Sequence, residues 1–132
     1  MKFRVGRVIA GTMAIAAATV MATAGAASAD IPPGIHWDHT WSELGVKVYI
    51  EEHGDIISVC DTAANGGSAT LRVINLDHYS EYTAKVTNGA GSCTTHDAGD
   101  GGKYNLKEGD RIDVGISGGG SVKEHRLFLN DH

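Results

Sequence analysis

The sequence is poor in the residues that brace an interior or announce a chemistry. It holds two Cys, two Pro and an aromatic share of 6% in 132 residues. No segment sustains a helical period, which leaves strands as the regular element. An excess of basic charge is also missing, since 11 Lys and Arg stand against 16 Asp and Glu. Phosphate backbones and anionic bilayers need a positive surface, so nucleic-acid and membrane-surface binding are set aside.

What is present begins with an address. Lys2, Arg4 and Arg7 precede an uncharged run from Val8 to Ala24, and Ala27-Ser28-Ala29 fits a small-x-small cleavage site before Asp30. Residues 1–29 therefore read as a secretory signal peptide. An uncleaved anchor is the competing reading, because the uncharged run is long enough to span a bilayer. Its small residues and its cleavage site favour removal. No Cys follows it and no Arg-Arg pair precedes it, so neither a lipoprotein nor a twin-arginine route is indicated.

Removal leaves 103 residues with 8 Lys and Arg against all 16 Asp and Glu, a formal charge of −8. All three Met are lost and 15 of the 18 Gly remain. Such a chain is one small domain, too short for a TIM barrel, a full dinucleotide fold or an α/β-hydrolase. It is expected outside the cell or on its surface. In that oxidising setting Cys60 and Cys93 should pair, with one intrachain connectivity open to them. A free nucleophile or metal pair is the weaker reading, because neither lies in a Cys-x-x-Cys motif.

Residues 30–45 read as an irregular lead-in. Pro32 and Pro33 block early helix, and the capping-box spacing of Thr40 and Glu43 meets Gly45 at once, allowing at most one turn. Residues 46–132 read as the folded domain. Val46, Val48 and Ile50 alternate with polar neighbours, Ile56 to Cys60 is a continuous apolar strand, and Asn65 to Ser68 is a turn. Ala69, Leu71 and Val73 alternate, but the phase slips at Ile74 and Leu76, predicting a bulge. Tyr82, Ala84 and Val86 alternate next, and Asn88-Gly89 predicts a hairpin leading to Cys93. His96 to Gly102 is a polar loop. Ile112, Val114 and Ile116 form the clearest strand, and Val122 to Leu129 the last. About seven short strands at this spacing predict a small, all-β, immunoglobulin-like antiparallel β-sandwich, with the disulfide as an inter-sheet staple. The Cys…Trp…Cys arrangement of immunoglobulins is absent, because Trp37 and Trp41 precede both Cys.

Three segments carry a resemblance. Gly54-Asp55-Ile56-Ile57-Ser58-Val59-Cys60-Asp61-Thr62, Asn88-Gly89-Ala90-Gly91-Ser92-Cys93 and Tyr104-Asn105-Leu106-Lys107-Glu108-Gly109 occur in that order. In this the chain resembles small exported single-disulfide proteins of Streptomyces and related actinobacteria, over roughly Gly54 to Ile116. The shared segments are turns, half-cystines and a strand lead-in. The resemblance implies an exported, single-disulfide β domain and carries no catalytic role.

Candidate chemistry is sparse. Gly115-Ile116-Ser117-Gly118-Gly119 matches a nucleophile elbow, but that motif needs a strand-to-helix turn, and here a Gly-rich hairpin follows. His36, Asp38 and His39 offer imidazole and carboxylate ligands for zinc or copper without a recognised zinc spacing. Asp97, Asp100, Glu108, Asp110 and Asp113 surround a Gly-rich loop and suit calcium, although EF-hand spacing is absent and two turns are the plainer reading. Glu51, Glu52 and Asp55 are read as a solvated strand end, because neighbouring Glu on a strand face opposite sides. Trp37, Trp41, Tyr79 and Tyr82 are candidate contacts for a ligand, with coverage of the open sandwich end as the alternative. The expectation is a monomeric, non-enzymatic exported module, with no cofactor, that binds an extracellular protein or glycan. A metal-binding protein is the alternative and a small hydrolase the least favoured.

Overall fold

A computed structural model describes residues 31–119 and 121–132, so the signal segment, Asp30 and Gly120 lie outside the described residues. Eight strands follow one another: β1 (His39–Glu43), β2 (Val46–Glu51), β3 (Ile56–Asp61), β4 (Thr70–Asn75), β5 (Ser80–Lys85), β6 (Cys93–His96), β7 (Asp110–Ser117) and β8 (Glu124–Asn130). Two antiparallel sheets result, ordered β1-β2-β3-β6 and β5-β4-β7-β8. The runs β2-β3-β6 and β5-β4-β7-β8 reproduce the A-B-E and C′-C-F-G orders of an immunoglobulin-like sandwich, with β1 added at one edge.

The core follows from period-two patterning. Val46, Val48, Ile50, Ile57 and Val59 from one sheet meet Leu71, Val73, Ile112, Val114 and Ile116 from the other, all buried. The two open edges are closed differently. Where β1 faces β8, Trp41 and His39 lie over Phe128, with ring centroids 6.4 and 5.2 Å away, and Glu43 pairs with Arg126. Where β6 faces β5, buried Tyr82 packs against Tyr104 and His96 at 4.6 and 5.7 Å. Among the described residues, no helix is long and apolar enough to cross a membrane.

Several expectations are corrected. The lead-in is not irregular throughout, because its end is β1, and Thr40 and Glu43 sit in that strand. Glu43 pairs with Val46 across Leu44 and Gly45, whose φ of 53° and 75° give the two-residue turn with both central residues left-handed. With β1 the described residues hold eight strands, in keeping with the expectation of about seven. No bulge interrupts β4, which keeps one-to-one register with β5 and β7 from Thr70 to Asn75. The core-facing position that breaks the apolar pattern is Asn75, whose Nδ2 donates to Asp110 Oδ2 at 2.7 Å. Asn88-Gly89 joins strands of different sheets rather than a hairpin. The last strand opens at Glu124, two residues later than expected. Cys60 and Cys93 are bonded, but β3 and β6 are neighbours, so the bond lies within one sheet instead of joining two.

Candidate functional site

The proposed metal ligands fall into two separate places. Asp97 and Asp100 cap a 3-10 turn at Ala98–Asp100, where Asp97 Oδ1 accepts from Gly99 N at 2.7 Å and Asp100 Oδ2 accepts from Asp97 N at 3.3 Å. Asp100 also meets His96 Nδ1 at 2.9 Å, and that bond holds its carboxyl below the usual range. These aspartates are occupied by a turn. Asp110 lies buried between Asn75 and His78, and Asp113 meets His125 on the outer sheet face, so the acidic residues after Asp97 do not converge.

His36, Asp38 and His39 lead to a different cluster. Asp38 continues the β1 ladder through its N–H to Ile50 O, and its Oδ2 accepts from Glu52 N at 2.9 Å. His36 is exposed, with Nδ1 3.9 Å from Asp38 Oδ1. His39 turns inward on β1 and places Nε2 2.5 Å from Glu52 Oε1. On the other oxygen, Glu52 Oε2 lies 3.0 Å from His132 Nδ1 and accepts from Asp131 N at 3.3 Å. Glu52 is 4% exposed, which corrects the reading of a solvated strand end. Asp55 is buried as well, accepting from Leu106 N at 2.8 Å and Asn130 Nδ2 at 3.1 Å. Burial alone would raise the Glu52 carboxyl, but the bonds from His132, His39 and Asp131 outweigh it and leave the group below its ordinary value. The bond to Glu52 raises His132 in turn. No spacing pattern links Glu52 to Asp131 and His132, because β8 brings them together from 79 and 80 residues away.

The four aromatic candidates do not form one surface. Tyr82 is core, and burial drives its hydroxyl upward. Trp41 is half-buried over Phe128, which is the covering role set out as the alternative, whereas Trp37 packs on Tyr49 at 5.4 Å, on the side of β2 away from the core. Tyr79 alone stands free, 94% exposed at φ 53° in the β4–β5 connection. It lies within electrostatic reach of Arg111. Arg111 pairs with Asp77 at 2.7 Å and holds that carboxyl down to about 2. Arg111 is the register partner of Leu129 on β8. Leu127 and Leu129 point outward from this edge strand, 61% and 48% exposed. Periodicity hides them, because Leu127-Phe128-Leu129 reads as a continuous apolar strand rather than as one inward and two outward residues.

Ser117 is buried at the end of β7, and β8 follows as its hairpin partner, so the G-x-S-x-G match is not an elbow. Compared with protein-family models, with curated proteins and with solved structures, the chain finds no match in any of the three.

Proposed function

We propose that the chain is an exported, non-enzymatic binding module that meets an extracellular protein through Tyr79, Arg111, Leu127 and Leu129. The observation that carries this reading is Tyr79. A bulky residue held at positive φ costs of order 1–2 kcal/mol, and this one recovers little by burial, being 94% exposed. Backbone outliers of this kind cluster where a surface is used. Arg111 lies within electrostatic reach of it, and the register partner of Arg111 on the edge strand β8 is exposed Leu129, with exposed Leu127 two residues earlier. Tyr and Arg are the residue types that anchor protein interfaces, and exposed apolar residues supply the area to be buried. Residues 1–29 supply the export signal, and the Cys60–Cys93 bond fits an oxidising compartment.

The test compares capture from secreted and cell-wall fractions by the wild-type protein, by Tyr79→Ser and by the double change Leu127→Ser with Leu129→Ser. The reading expects a protein whose recovery falls at least tenfold on both variants while their melting temperatures stay near wild type. Identical capture by all three proteins overturns it, as does recovery that depends on a glycan rather than on protein.

A further inference from the structure

The Glu52 cluster gathers carboxylate and imidazole donors at close range. Glu52 is a nine-tenths-buried carboxylate with an imidazole on each oxygen: His39 Nε2 at 2.5 Å and His132 Nδ1 at 3.0 Å. His132 Nδ1 is also 2.9 Å from Asp131 Oδ1. One donor atom each from Glu52, Asp131 and His132 lies within 4.8 Å of the other two. Three parts of the fold converge here: the start of β1, the end of β2 and the residues after β8.

The geometry points to a site for a divalent first-row transition ion, with Zn²⁺ as the type, bound by Glu52, Asp131 and His132 and positioned by His39. Four donors at about 2.0 Å in a tetrahedron stand roughly 3.3 Å apart. The observed 2.9 and 3.0 Å separations at His132 are a few tenths shorter. An ion at His132 requires these two separations to open by a few tenths of an ångström, and the side chains that would shift, Asp131 and His132, are each 57% exposed. Imidazole with carboxylate suits zinc, copper or nickel, whereas calcium prefers six to eight oxygens. The ion takes the place of the proton between His132 and the two carboxylates, and that proton leaves to solvent. His39 remains on the far oxygen of Glu52 and fixes the carboxylate, a supporting role that tunes affinity. Three protein ligands on an exposed rim leave a fourth position open to water.

The experiment titrates EDTA-treated, untagged protein with ZnCl₂ and reads melting temperature and calorimetric affinity. Zn²⁺ is expected to raise the melting temperature by several degrees, and equal Ca²⁺ to leave it unchanged. His132→Ala and Asp131→Asn should each weaken Zn²⁺ at least tenfold, while His53→Ala, an exposed histidine outside the cluster, should bind as wild type. Co²⁺ in place of Zn²⁺ should give visible d–d absorption that His132→Ala removes. Glu52→Gln is read only alongside circular dichroism, because its carboxylate also holds the fold; His132→Ala keeps the test independent of folding. Zn²⁺ affinity that survives both His132→Ala and Asp131→Asn, or an equal response to Ca²⁺, overturns the site.

Discussion

Cys60 and Cys93 face each other as register partners on β3 and β6, with Cα atoms 4.0 Å apart in a single sheet. Between them the chain leaves that sheet, forms the β4–β5 pair in the other sheet and returns. The bond therefore closes the excursion that joins the two sheets, although it crosses no interface itself. A closed loop of 33 residues removes roughly 3–4 kcal/mol of chain entropy from the unfolded state. Replacing both Cys by Ala should lower the unfolding free energy by about that amount, with the denaturant slope raised slightly as the unfolded chain expands. Equilibrium urea denaturation reads both. A loss under about 1 kcal/mol would mean that the excursion is already ordered in the unfolded chain.

The β1–β2 turn offers a change of opposite sign. Leu44 sits at φ 53° and is 47% exposed, so it bears left-handed backbone without burying its side chain. Asn tolerates that conformation far better than a residue with Leu's bulk. Leu44→Asn should raise stability by about 1 kcal/mol, seen as a higher urea midpoint at unchanged slope. A lower midpoint would show that the Leu44 contacts beside Gly118 outweigh the backbone term.

This turn also explains what the sequence concealed. Two-residue hairpins are read from Asn-Gly or Gly-Gly, and Leu44-Gly45 carries half of that signal, so the preceding residues read as a lead-in and β1 was invisible. Alternation at Val46, Leu71 and Ile112 was legible because burial of one face writes itself into period two. Asn75 defeated the same logic. It occupies a core-facing position as a polar residue satisfied by Asp110, so an unbroken strand mimicked a phase slip. The Cys pair was legible from composition, but its placement depends on strand order, which local pattern does not carry. The Glu52 cluster was half legible. His39 and Asp38 stood out as ligand types, whereas Glu52 and His132 meet only because β2 and β8 end on the same side of the sandwich.

Asp55 supplies the pH test. Burial raises its carboxyl above the ordinary 3.8, and this outweighs the bonds from Leu106 N and Asn130 Nδ2 that lower it. The folded state thus holds its proton more tightly than the unfolded chain. For such a group the contribution to stability is fully present below the unfolded value and is lost as pH rises through the folded one. Asp55→Asn removes the titration, keeps one acceptor oxygen and suits the φ of 52° at this position. Asp55→Ala removes the titration and leaves both donors, Leu106 N and Asn130 Nδ2, without this acceptor, at about 1–3 kcal/mol for each buried group. Urea midpoints at pH 4 and pH 7 separate these effects. Relative to Asp55→Asn, the wild type should lose ground between the two pH values, and Asp55→Ala should lie below both throughout. If Asp55→Asn falls as far as Asp55→Ala at pH 7, the ionised carboxylate is an asset to the fold there, and the cost assigned to its burial is wrong.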